Sequence, residues 1–151
     1  MLRICTLLLG LLLTAPALAD HGMKQQRLEQ IVKAMASDSR GEQGVVEFEY
    51  NRVLMYLISD TQHNRMRIVA PIANYSDLTR EQLDAVLESN YHKALDARYA
   101  VSKDVLFSAY IHPLSEMHER QVRDAVRQVA NLALTFGTDY SSGDLSFDGD
   151  N

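Results

Sequence analysis

The sequence predicts an α+β domain in which helices pack on an antiparallel sheet. Short runs of alternating apolar and polar residues mark strands, separated by polar turns. Apolar residues three and four apart mark helices before, between and after them. The two patterns meet from Asn90 to Tyr140, where a hairpin hands directly into a long helix. Alternation lines one face of a strand and the 3/4 step lines one stripe of a helix, so the hairpin and helix can bury each other. The predicted order is α-β-β-β-α-β-β-α.

The first residues stand apart from this domain. Arg3 supplies a positive start, Ile4 to Thr14 is apolar, and Ala17-Leu18-Ala19 is a small-x-small site. That is the layout of a cleavable secretory signal peptide, and its apolar run falls short of the ~20 residues a membrane-spanning helix needs. The predicted organisation is therefore a signal peptide at 1–19, one domain at 20–140 and a flexible acidic tail at 141–151. Cys5 is the only cysteine and leaves with the leader, so no disulfide framework is available in an oxidising compartment. The expected location is periplasmic or secreted.

Met23 to Met35 carries Leu28, Ile31, Val32 and Met35 on one helical stripe with charged residues elsewhere. Ser37 to Gly41 reads as its stop. Val45–Tyr50 alternates Val46, Phe48 and Tyr50 with Glu47 and Glu49, and Asn51-Arg52 serves as a two-residue turn into Val53–Ser59. Asp60–Asn64 is a polar loop, and Arg65–Ile72 alternates again. Pro71 marks an edge or a strand end, because it lacks the amide N–H. Thr79 and Gln82 form a capping box at the start of the next helix, with Leu83, Val86 and Leu87 as its buried face.

In the hairpin, Leu95, Ala97, Tyr99 and Val101 share one side of the first strand. Val105, Phe107, Ala109 and Ile111 share one side of the second, after a Ser102-Lys103-Asp104 turn. Both rows are expected to meet Val122, Val126, Val129, Ala133 and Phe136 of the last helix. Ser115 is the expected N-cap of that helix.

The whole chain has a formal charge of −5, one unit more negative without Arg3, and Asp139, Asp144, Asp148 and Asp150 are all acidic residues near the C-terminus. Nucleic acid and, once the leader is gone, membrane are poor partners, because both select basic patches. No Gly-x-Ser-x-Gly elbow, phosphate loop or glycine-rich dinucleotide turn is present. Ser108 or Ser115 with His112 would be a chance assembly. His112 and His118 with Glu116 and Glu119 lack metal-ligand spacing, and the Asp144–Asp150 alternation lacks the closing acid of a calcium loop. Neither a catalytic residue, a metal nor a cofactor is expected. Arg98, charged among Ala97, Tyr99 and Ala100, is expected on the solvated side or against an acid of a neighbouring strand.

The informative surface is the sheet side away from the helices. If Asn51-Arg52 is a two-residue turn, Val53, Met55 and Leu57 face the helices. Leu54, Tyr56 and Ile58 then face out, with Val69, Leu106 and Tyr110 expected to join them. Either this apolar face meets a second polypeptide, or a helix or the tail covers it.

Asn90, Leu95, Ala97, Arg98, Tyr99 and Ala100, a polar turn, an apolar strand and Pro113-Leu114 before the helix resemble the YbjN-like pattern. The element order as a whole resembles the class I type III secretion chaperone (Tir chaperone) fold. The resemblance implies a binding module that is not an enzyme, that acts as a homodimer and that holds an extended protein or peptide client on apolar surface. Those chaperones work in the cytoplasm, whereas this chain carries an export signal. A small exported enzyme or inhibitor with a loop-built site is the alternative.

Overall fold

In the computed structural model, residues 22–143 are described. The expected signal peptide, and the expected tail from 144 onward, lie outside the described residues.

Helix α1 (Gln25–Met35) is followed by strands β1 (Asp38–Glu42), β2 (Val45–Tyr50), β3 (Val53–Asp60) and β4 (Arg65–Asn74). A 3-10 turn (Tyr75–Asp77) leads into α2 (Arg80–His92), then β5 (Arg98–Ser102), β6 (Val105–Pro113) and α3 (Glu119–Leu134). The strands form one antiparallel sheet in the order β1-β2-β3-β4-β6-β5. The α+β fold with helices on an antiparallel sheet is as the sequence predicts, with one strand added.

That extra strand is β1, in a segment expected to be only a helix stop. Its Asp-Ser-Arg-Gly-Glu composition has poor strand propensity, and it is held by pairing with β2. Gln43 and Gly44, with φ of 56° and 100°, make a two-residue turn that pairs Glu42 with Val45. Within β1, a Cβ on Gly41 would lie 2.5 Å from the Val45 carbonyl oxygen, so this position takes only glycine.

The core lies between the sheet and α1 and α3. Phe48, Met55, Leu57, Met66, Ile68 and Leu106 project from the sheet onto Leu28, Ile31 and Val32 of α1 and Val122, Val126 and Val129 of α3; all are essentially inaccessible. Each large side chain so buried contributes about 1.5–3 kcal/mol. Polar groups entering this layer are satisfied. The Gln128 side-chain oxygen accepts from the amides of Asp96 and Ala97 at 2.9 and 3.0 Å, Ser108 donates to the Val129 carbonyl at 2.7 Å, and the Tyr99 hydroxyl donates to the Leu132 carbonyl at 2.9 Å.

The helix ends differ in detail from expectation. The Thr79–Gln82 capping box forms in both directions, at 2.9 and 3.2 Å. However, Leu87 is 67% exposed, so it is not part of the buried face of α2. Helix α3 begins at Glu119, not after Ser115. Ser115 instead exchanges two hydrogen bonds of 2.8 Å with the Asn64 side chain, which joins the β3–β4 loop to the approach to α3. Pro71 is not at the end of β4, but it lies beyond the last pair with β3, where β4 pairs only with β6, and at a register shift in that pairing. Ser141 and Ser142 are buried, with Ser142 accepting from the Leu95 amide at 2.6 Å, so the chain is packed on the domain past the expected tail boundary.

Candidate functional site

The register of the sheet decides which residues face away from α1 and α3. Asn51 and Arg52, with φ of 50° and 66°, form the expected two-residue turn and pair Phe48 with Met55 and Tyr50 with Val53. Leu54, Tyr56 and Ile58 therefore face outward. Cross-strand pairing extends the surface row by row: Tyr56 to Val69 to Ala109, and Ile58 to Arg67 to Ile111. Phe107 and Ala100 form the adjoining row on β6 and β5. Leu54, Ile58 and Ile111 are 44%, 39% and 58% exposed. A groove of about 500 Å³ runs among Tyr56, Ile58, Arg67, Val69, Phe107 and Ile111.

The expected set needs a correction on β6. Leu54, Tyr56, Ile58 and Val69 share the outer face, but Leu106 and Tyr110 are buried on the opposite side. Phe107, Ala109 and Ile111 take their place, and they do not face α3. The cause is the hairpin turn. Lys103 and Asp104 alone form it, with φ of 48° and 62°, so Ser102 pairs with Val105, Val101 with Leu106 and Tyr99 with Ser108. Paired residues share a face. A three-residue turn would have shifted the strand by one and exchanged its two faces. Reading Lys103-Asp104 as the same two-residue turn as Asn51-Arg52 would have found Phe107 and Ile111.

The outer face is not uniformly apolar. On the β1–β2 flank lie Glu47 and Glu49, with Arg40 paired to Glu47 at 2.5 Å. Tyr56 lies opposite Glu47; partial burial, and then the Glu47 carboxylate that its hydroxyl faces, push its pKa up. Arg65 and Arg67 lie on β4, in the middle of the sheet, and Arg98 lies on edge strand β5. The Arg98 guanidinium donates to the carbonyls of Leu95 and Ala97, not to an acid. Among the described residues Arg67 has no ion pair or hydrogen bond through its side chain, although it lines the groove. The apolar stripe thus has an acidic flank on β2, is interrupted by Arg67 on β4, and ends at Arg98 on β5.

Other sequence candidates are accounted for by local structure. Ser108 is fully buried on its bond to α3, and Ser115 is held by Asn64. A His112 ring nitrogen lies 2.9 Å from the Pro113 carbonyl, and His118 precedes the first turn of α3, its amide donating to Gln121 at 2.9 Å. A second exposed apolar pair, absent from the sequence expectations, is Leu87 and Tyr91 on α2, one turn apart and 67% and 79% exposed.

The chain matches no family model and no curated protein. Its structure does match solved ones. It is similar to the Yersinia pestis type III secretion chaperone SycH, solved with a stable fragment of YscM2, with a TM-score of 0.56 and 14% identity over 75% of this chain and 98% of that one. It is also similar to a chain of the HopA1–SchA chaperone–effector complex, with a TM-score of 0.55 and 8% identity over 72% of this chain and 88% of that one. The fold is secretion-chaperone-like. Nothing in these structures bears on the YbjN-like part of the resemblance.

Proposed function

We propose that this chain is an exported, non-enzymatic, chaperone-like module that holds an extended protein or peptide segment on the outer face of its sheet. The observation that carries this is the apolar stripe of Leu54, Ile58, Phe107 and Ile111, which no described helix covers, beside a groove and away from α1 and α3. A contiguous apolar face of this kind is a common mark of a protein-binding surface. The similar structures support it, since both were solved as complexes with a protein partner. The leader at 1–19 supports action in the periplasm or outside the cell. Homodimer formation belongs to the same proposal, because a second copy is the simplest polypeptide that this face can meet.

Tyr56→Asp tests it by placing a carboxylate in the centre of the stripe beside Glu47. With stability checked by urea unfolding, the variant is expected to lose capture of a permanently unfolded model client, reduced and carboxymethylated α-lactalbumin. Its light-scattering mass is expected to be that of a monomer. Unchanged capture and unchanged mass would overturn the assignment of this face.

A further inference from the structure

The row of the outer face that crosses β4 at Arg67 is aliphatic on both sides of it. Strand pairing puts Ile58 and Ile111 directly beside Arg67, and Val45 beyond Ile58; these three are 39%, 58% and 55% exposed. The next row along the strands is Tyr56, Val69 and Ala109, and the one after it holds Leu54 and Phe107. In the opposite direction the row is Asp60 and Arg65. Arg67 therefore stands where a polar end of the face meets an apolar one. The acids of the two neighbouring rows have other partners. Asp60 accepts from the His63 amide at 3.0 Å and lies 2.6 Å from its ring nitrogen, and Glu47 is paired with Arg40. Glu42 ends the Arg67 row on β1, three strands and ~14 Å away.

We propose that Arg67 makes this face selective for extended client segments in which an acidic residue ends an apolar alternation. The inference deepens the client-binding reading of the outer face and rests on it. An extended segment lying along β4 turns alternate side chains onto the sheet, and its repeat of ~6.6 Å per two residues matches the spacing of the rows. A carboxylate over Arg67 then sets the next two inward side chains over Val69 and over Phe107. A bound segment that closes on Ile58 and Ile111 also strips water from the guanidinium between them, which is costly unless an opposite charge replaces that water. A neutral apolar segment meets this cost and an acidic one is relieved of it. Discrimination thus comes from the penalty on the wrong client as much as from attraction to the right one. Arg67 is exposed in the free protein, so the preference is modest, ~5-fold or ~1 kcal/mol.

The probes are capped peptides Glu-Thr-Leu-Thr-Phe and, for the opposite chain direction, Phe-Thr-Leu-Thr-Glu, each with glutamine and lysine analogues. They carry a neutral fluorophore and are titrated by anisotropy into the full chain. In one direction or both, the glutamate peptide is expected to bind ~5-fold more tightly than its glutamine analogue at low salt, with the preference fading at ~0.5 M salt. With folding verified by urea unfolding, Arg67→Gln is expected to remove the preference. Arg67→Glu is expected to transfer it to the lysine analogue, a reversal that a merely structural role for Arg67 would not produce. Equal binding of the glutamate and glutamine peptides, as an arginine that only keeps the face soluble would give, would overturn the proposal. So would a chain that binds none of the peptides; if that chain is a dimer, the face belongs to a second copy. Tyr56→Asp separates the two assignments. If the parent binds glutamate and glutamine peptides equally and Tyr56→Asp loses both, only the carboxylate selectivity fails. If Tyr56→Asp keeps both the peptides and carboxymethylated α-lactalbumin, the sheet-face assignment fails as well.

Discussion

Positions on opposite faces of β6 offer a direct test of the face assignment, because they should behave in opposite ways. Leu106 is 1% exposed against the helices, whereas Ile111 on the other face is 58% exposed. Leu106→Ala removes a buried side chain from a layer with no room to relax, and should cost ~3 kcal/mol, within the usual range of about 2–5. Ile111→Ala removes about as much hydrocarbon, at ~0.8 kcal/mol per methylene, but under half of it is out of water. Its cost should be ~1 kcal/mol or less. At ~4 °C per kcal/mol for a domain of this size, the two melting temperatures should fall by ~12 °C and by no more than ~4 °C. Capture of the unfolded model client should show the reverse order: kept by folded Leu106→Ala, and weakened ~5-fold by Ile111→Ala if its contact there is worth ~1 kcal/mol. Urea unfolding with matched m-values, together with the capture assay, measures both. A stable Leu106→Ala beside an unstable Ile111→Ala would refute the register and with it the site.

Two further perturbations read the joints of the fold. Burial pushes the Tyr99 hydroxyl above the ordinary value of 10.0. The folded form keeps a proton that the unfolded form releases near pH 10, so this stability is complete below that pH and is lost as pH rises towards the folded pKa. Tyr99→Phe should cost ~1 kcal/mol at neutral pH, by leaving the Leu132 carbonyl without its donor, and should flatten the alkaline fall in urea midpoint; an unchanged slope would contradict it. Tyr110, also pushed up by burial, would supply the slope that remains. At Asn64, φ is 50° and the side chain makes both bonds to Ser115. Asn64→Ala and Asn64→Gly should both destabilise, with alanine worse by ~1 kcal/mol because only it resists the left-handed backbone. Equal urea midpoints would show that backbone conformation is not the issue there.

Legibility followed the strength of each local signal. The α1 stripe, the Thr79–Gln82 box and the β2–β3 register were readable because apolar residues or a reciprocal cap leave one solution. Strand β1 was not, since Asp38–Glu42 has no alternation to read and its structure comes from pairing with β2. On β6 the difficulty was different. Val105, Leu106, Phe107, Ala109, Tyr110 and Ile111 make both faces apolar, so periodicity cannot choose between them, and a one-residue uncertainty at Lys103-Asp104 decides the matter. Four of the six outer residues were consequently legible in sequence: the β3 and β4 members were placed by the Asn51-Arg52 turn, and the two β6 members were exchanged with their neighbours. Arg67 was visible only as an alternating polar residue, and its place between Ile58 and Ile111 follows from strand pairing.

The edges of the sheet indicate how a client would be held. An exposed sheet can bind a strand by backbone pairing at an edge or a segment by side-chain contact on a face. Here both edges are blunted. Edge strand β1 has three acids or bases facing out and a glycine twist, and on β5 the Asn90 side chain accepts from the Tyr99 amide at 2.7 Å and donates to its carbonyl at 3.2 Å. Such features discourage strand addition. The outer face itself follows the usual polar pattern on β2, where Glu47 and Glu49 alternate with buried Val46 and Phe48, and departs from it on β3 and β6. Strand propensity alone does not explain that departure, because threonine would satisfy it without exposing hydrocarbon. The chain instead places Leu54, Ile58, Phe107 and Ile111 on the two strands that flank β4. The stripe therefore lies across the middle of the sheet, away from both edges, and a segment bound there would be gripped by side chains rather than spliced into the ladder.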